Sequence, residues 1–247
     1  MSKIIEFIAH ETIVAIDYIQ PVPIKRNVPE WYKKLSMQGP LNIKHCMPFL
    51  DTLTSGYLIK SPIDYEYRHN VWDTEDQDYK TYWNIGGPSY DVDLVLKENI
   101  NINYGTQLHG TLQIAGSPML EKNRFLPVHK IMNPWIIKTP PGYSCLFLPP
   151  MNNVDERFSI IPGIVDTDTF RREVNFPFII NCRKNESVES MIKAGTPIVQ
   201  VFPFKRDVWQ MKISTRDEVK HRSAVVEQMI HKFQHYKNKI WNKKQWS

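Results

Sequence analysis

Apolar and polar side chains alternate through the middle of this chain, and that pattern predicts strands. Ile63-Asp-Tyr-Glu-Tyr67 alternates, and Tyr79-Lys-Thr-Tyr-Trp83 does so less cleanly. Gln107 to Ile114 alternates strictly, with Leu108, Gly110, Leu112 and Ile114 on one face and Gln107, His109, Thr111 and Gln113 on the other. Tyr143–Leu148, Val174–Ile180, Ile198–Phe202 and Trp209–Ile213 also read as strands. Pro177 places its strand at an edge or a bulge, because proline cannot donate to a ladder. Nearer the start, Ile4–Ile8 and Thr12–Ile16 predict two strands or a hairpin, broken off by Pro21-Val-Pro23.

Helical signals are short until the end of the chain. Pro29 suits the first turn of a helix over Val28–Leu35, and Cys46–Thr54 predicts another, ended by Gly56. Thr215 and Glu218 have capping-box spacing. Beyond them Val226, Met229, Phe233, Tyr236 and Ile240 recur every three or four residues, which predicts an amphipathic helix with a basic opposite face. The expected fold is mainly β, an antiparallel barrel or sandwich with short N-terminal helices and a C-terminal amphipathic helix. A jelly roll is the alternative architecture. Residues 1–40 form N-terminal strands and a short helix packed on the core, 41–213 the β domain, and 214–247 the basic helix. Residues 69–78, rich in Asp and Glu, read as a solvated loop.

Composition narrows the class. Eighteen prolines in 247 residues cut long helices short. No apolar run is long enough for a bilayer, so no membrane contact is expected, and no secretory leader is visible. Three cysteines, Cys46, Cys145 and Cys182, are odd in number and widely spaced, which fits a reducing compartment and predicts a cytoplasmic protein. The net charge is +5, and residues 217–247 hold seven Lys or Arg against three acids, so the basicity belongs to the tail. Nucleic acid is therefore not an expected partner except through that basic end.

The acidic turn Gly163-Ile-Val-Asp166-Thr-Asp168-Thr-Phe-Arg171-Arg172 is the first candidate site. Two ionised carboxylates one residue apart are pure acceptors and can orient a water or a hydroxyl. Arg171 and Arg172 supply forks for a phosphate or carboxylate. A surface turn whose Asp side chains bond nearby amides is the plainer alternative. Gln107, His109, Thr111 and Gln113 form a second polar set, either the wet face of a sheet or the lining of a barrel mouth. His109 has no metal partner at ligand spacing, and His129, His221, His231 and His235 lack a third ligand, so no metal is expected. Cys145 and Cys182 read as small core residues, with nothing nearby to lower their pKa. No phosphate loop or nucleophile elbow is present, and no cofactor is expected.

Several blocks carry a resemblance. They are Cys46-Met-Pro-Phe-Leu with Gly56-Tyr-Leu-Ile, Pro140-Pro-Gly-Tyr143 with Pro149-Pro-Met-Asn152, and Gly163-Ile-Val-Asp-Thr-Asp168 with Gly195-Thr-Pro-Ile-Val-Gln-Val-Phe-Pro203. Over most of residues 20–210 the chain resembles a family of phage and bacterial proteins that has no assigned activity. More distantly, Gly163–Asp168, Asn181 and Gly195–Gln200 are similar, in order, to motifs of the dUTPase and dCTP deaminase β-clip proteins. That likeness implies a β-clip fold, with Asp166 the counterpart of the acid that contacts deoxyribose and orients the attacking water. Thr169 and Phe170 stand where that family has tyrosine, Pro149–Asn153 replaces its serine-rich phosphate motif, and a basic helix replaces its glycine-rich arm. The leading expectation is a phage-type protein of the host cytoplasm that binds a small anionic, nucleotide-like ligand through Asp166, Asp168, Arg171, Arg172, Gln107 and His109. A non-catalytic assembly protein, forming a homo-oligomer through subunit contacts, and a diverged nucleotide hydrolase with Asp166 as its catalytic residue are the alternatives. Whether the chain is an enzyme is left open.

Overall fold

The computed structural model describes residues 3–39, 42–69, 106–109, 111–119, 128–181, 188–230 and 234–247. Its strands are β1 (Glu6–Ile8), β2 (Val22–Pro23), β3 (Tyr57–Lys60), β4 (Tyr65–His69), β5 (Thr106–His109), β6 (Val128–Ile131), β7 (Ile136–Lys138), β8 (Tyr143–Leu148), β9 (Phe158–Ile160), β10 (Gly163–Val165), β11 (Phe176–Ile180), β12 (Val188–Ile192) and β13 (Pro197–Lys205). Helices α1 (Glu11–Val14), α2 (Glu30–Lys34), α3 (Met47–Thr54) and α4 (Glu218–Ile230) accompany them, with several 3-10 turns.

Among the described residues every strand pairing is antiparallel. A five-stranded sheet runs β10-β8-β13-β3-β2, and a four-stranded sheet runs β5-β6-β11-β9. Two ribbons, β1-β7 and β12-β4, complete the set. Both large sheets contribute to one core: Ile59, Cys145, Phe147, Val199 and Val201 from the first, Ile131, Phe158, Ile160, Phe176 and Phe178 from the second. Phe147 and Phe176 meet across it with ring centroids 5.6 Å apart. Among the described residues no sheet closes into a barrel, and helical segments are about as abundant as strands. The architecture is thus mixed, with antiparallel sheets, rather than mainly β.

Several expectations change for identifiable reasons. Thr12–Ile16 is no strand: His10 Nδ1 accepts from the Thr12 amide and starts α1 there. The alternation from Gln107 continues as a strand only to His109, and Thr111–Ile114 is a 3-10 turn. Pro177 lies inside the four-stranded sheet, on β11 between β6 and β9. It is tolerated because it sits one residue past the β9 pairing, where its carbonyl accepts from the Ile161 amide at 2.9 Å. Asp217, not Thr215, caps α4, its Oδ1 accepting from the Val219 and Lys220 amides. The predicted segment Tyr79–Trp83, Cys182, His231 and residues 70–78 of the acidic loop lie outside the described residues.

The central strand β13 carries a buried polar anchor. Gln200 is fully buried, and its Nε2 donates to the Thr52 and Ser55 carbonyls at 3.0 and 2.8 Å. Its Oε1 accepts from the Met151 amide at 2.8 Å. One side chain thus satisfies two carbonyls at the end of α3 and an amide in the turn after β8. The chain then turns at Gly56, whose φ is +85°. A Cβ there would collide with the Val201 carbonyl oxygen, so glycine is required by conformation and by space alike.

Gln200→Leu should destabilise the protein by about 3 kcal/mol in urea titration, because it strands one buried and two part-buried backbone groups. His129 on β6 gives a separate pH signature. Its ring lies 5.8 Å from that of Phe178, and burial pushes its pKa down from 6.5 to about 4. The unfolded chain therefore takes up a proton on this residue before the folded one does. Its contribution is complete above pH 6.5 and fades as the pH falls toward 4, by about 3 kcal/mol in all. His129→Leu should flatten the stability slope across that window.

Candidate functional site

The acidic turn follows β10, an edge strand of the five-stranded sheet. Thr167 at its centre is buried, with its hydroxyl 2.8 Å from that of Thr139 and donating to Cys145 Sγ at 3.3 Å. Anchoring Thr167 inward turns Asp166 and Asp168 to different environments. The Asp166 side chain is 61% exposed, whereas that of Asp168 is 6% exposed.

Asp168 is held by Arg206, just past the end of β13. Arg206 Nη1 donates to Oδ1 at 2.8 Å and Nη2 to Oδ2 at 2.5 Å, a bidentate fork. The Gly142 amide donates to Oδ2 at 2.8 Å. The hydrogen bonds from Arg206, helped by the Gly142 amide and the guanidinium charge, hold the Asp168 pKa down at about 2. Arg206 also donates to the Tyr143 carbonyl and the Ser144 hydroxyl, at 2.9 and 3.0 Å. Asp166 accepts from Ser144 Oγ at 2.6 Å and lies 3.4 Å from Arg206 Nη1. The turn is a clasp that ties β8, β10 and the end of β13 together, with one carboxylate spent on structure and one facing outward.

The two arginines next to the turn in sequence are not the ones bonded to its carboxylates. Arg171 and Arg172 are exposed, and the cation between the two carboxylates is Arg206. Arg206 carries no sequence signal of this role, because it lies 38 residues from Asp168. Gln107 and His109 lie on β5, opposite Lys130 and Val128 at the edge of the four-stranded sheet. The acidic turn belongs to the other large sheet.

A cavity of about 500 Å³ opens at the opposite end of β8. Six residues separate Ser144, at the clasp, from Pro150 in the cavity wall, which is on the order of 20 Å of extended chain. Phe158, Ile160, Pro197 and Ile198 make the wall largely apolar, and Asp155, Glu156, Ser159 and Asn181 supply its polar groups. Asn181 is fixed in orientation: Nδ2 donates to the Glu156 carbonyl at 3.0 Å and Oδ1 accepts from Ser159 Oγ at 2.9 Å. Asp155 is held by the Arg157 side chain, Nε to Oδ1 at 2.8 Å and Nη2 to Oδ2 at 2.5 Å. Burial alone would raise the Asp155 pKa, but the Arg157 bonds outweigh it and the carboxyl stays below its ordinary value. The cavity wall includes carboxylates and no Lys or Arg among its described residues.

Cys145 is fully buried, and burial pushes its thiol up to about 11. That is the environment of a packed core thiol and not of a nucleophile. Among the described residues no three His, Cys, Asp or Glu side chains converge as a metal site requires, and no helix is long and apolar enough to cross a membrane.

The unequal roles of the two aspartates predict an ordering. Asp168→Asn should lower the melting temperature clearly and Asp166→Asn only slightly. Because the folded pKa of Asp168 lies below the unfolded 3.8, its contribution is present above that pH and is lost as the pH falls toward 2. Acid melting curves of the Asp168 variant should therefore show less loss than wild type across that interval.

Comparison with protein-family models gave no match, and comparison with curated proteins gave none.

Proposed function

We propose that this chain is a non-catalytic, self-associating assembly protein whose subunit contact is made by the arm of residues 207–230. The observation that carries this reading is the exposure of the arm. Val208, Trp209, Met211 and Ile213 are 93%, 86%, 89% and 87% exposed. Val219, Val226 and Met229 on α4 are exposed as well. Together they offer several hundred Å² of apolar side chain, where a standard interface covers about 800 Å² per partner. Monomers rarely leave so large an apolar surface in water. Alternation through Trp209–Ile213 gives the arm the pattern of a strand, yet among the described residues it joins no ladder.

The cavity supports a second reading, binding of a small ligand. Apolar walls with a few fixed polar groups suit a compact molecule. Asp155 is already paired with Arg157, so the wall's other carboxylate, Glu156, leaves it with a negative charge that favours a neutral or cationic occupant over the anionic one expected from the acidic turn. The β-clip likeness remains part of this reading through Asn181 and Pro197–Ile198, which line the cavity.

One set of measurements separates the two. Light scattering after gel filtration should give a concentration-dependent mass above that of the monomer, and Trp209→Ser with Met211→Ser and Ile213→Ser should reduce it to one chain while leaving the melting temperature nearly unchanged. A monomer at all concentrations, combined with a melting-temperature rise on adding a small amine or nucleoside, would reverse the order of the readings.

A further inference from the structure

Beyond the arm, the chain comes back to the body and docks through a few specific contacts. Trp241 Nε1 donates to both oxygens of Asp51 on α3, at 3.2 and 3.0 Å, and Lys244 Nζ donates to the same carboxylate at 2.7 Å. The Trp246 ring stands edge-on to Tyr57 of β3 and Phe202 of β13, with centroids 5.7 and 6.1 Å away. Tyr57 Oη donates to the carbonyl of Ser247 at 3.3 Å. These contacts cover α3 and β3 beside the Gln200 anchor.

The route to them is far longer than closure requires. The strand ends at Lys205, and Trp246 packs on Phe202, only three residues upstream and roughly 10 Å away along the strand. Between these points the chain passes through residues 206–217, which belong to no helix or strand, and then α4, whose 13 residues span about 20 Å. Twelve residues reach on the order of 40 Å when extended, so the linker is long enough to cross to a neighbouring molecule. It leaves its apolar side chains in water when the tail closes on its own body.

We infer that residues 234–247 are exchanged between two copies, the tail of each docking on α3 and β3 of the other. This rests on the self-association reading and names its partner as a second copy of this chain. Exchange keeps every tail contact, because the same Asp51, Tyr57 and Phe202 are met on the other copy. What changes is the linker. In a two-fold arrangement the two arms pass each other antiparallel, so each Val208–Ile213 segment meets its equivalent. Each arm then supplies the strand partner that the other lacks, and the apolar face of α4 is covered by the same crossing. A closed monomer gains none of that burial.

Isotope mixing tests the exchange. Unlabelled and ¹⁵N-labelled full-length protein would be unfolded together, refolded and treated with a zero-length carbodiimide, which joins Lys244 Nζ to the Asp51 carboxyl by an amide with loss of water. The dimer fraction would be digested and the Asp51–Lys244 peptide pairs weighed, with Asp51→Asn as the control that removes them. Exchange predicts that about half of these pairs combine a light with a heavy peptide, as random pairing of copies requires. A dimer containing only light–light and heavy–heavy pairs would overturn the exchange and leave self-association standing. A monomer at every concentration would overturn both.

Discussion

The carboxamide of Gln200 ties together three parts of the chain that lie far apart in sequence. It sits on the nine-residue strand β13, at the centre of the five-stranded sheet, and uses both of its amide hydrogens and its oxygen on backbone groups. A buried amide so engaged fixes orientation as well as position, since any rotation leaves a donor or acceptor unpaired in the interior. The end of α3, the Gly56 bend into β3 and the turn after β8 all depend on it. The cavity and the docking ground of the tail lie on either side of that anchor, so both inherit their geometry from it.

The Arg206–Asp168 fork acts at the other end of the same strand. It holds the edge strand β10 against β8 and keeps the departing chain in place where the arm begins. A carboxylate that accepts two guanidinium bonds and a backbone amide has little capacity left for a substrate. Asp166 retains an outward oxygen, but its other oxygen accepts from Ser144, and Arg206 neutralises its charge locally. The turn thus fastens three strands together, with most of its carboxylate oxygens already bonded within the chain.

Burial is unevenly distributed. The two large sheets and their ribbons bury their apolar faces in one shared layer, whereas residues 207–230 bury almost nothing. A chain that packs its core this completely and then exposes tryptophan, methionine and isoleucine along one segment leaves an apolar surface of the kind that the proposed self-association would cover. The returning tail packs on the chain's own α3 and β3, and these are the contacts that the proposed exchange would reuse.

Local pattern determined the pieces that depend on neighbours in sequence. Tyr143–Leu148 matches β8, the proline-led helices appear as α2 and α3, and Gly56 bends the chain where it was expected to. Those outcomes follow from side-chain alternation, fixed φ at proline and the freedom of glycine, all of them local. The tertiary structure decided what depends on distant partners. It gave Asp168 to Arg206 instead of the adjacent Arg171 and Arg172, and it put Pro177 at the end of an internal ladder instead of an edge. It moved the cavity to the far end of β8 from the acidic turn. Trp209–Ile213 has the alternation of a strand, but a strand also needs a second backbone to bond with, and no amount of periodicity within one segment says where that backbone is.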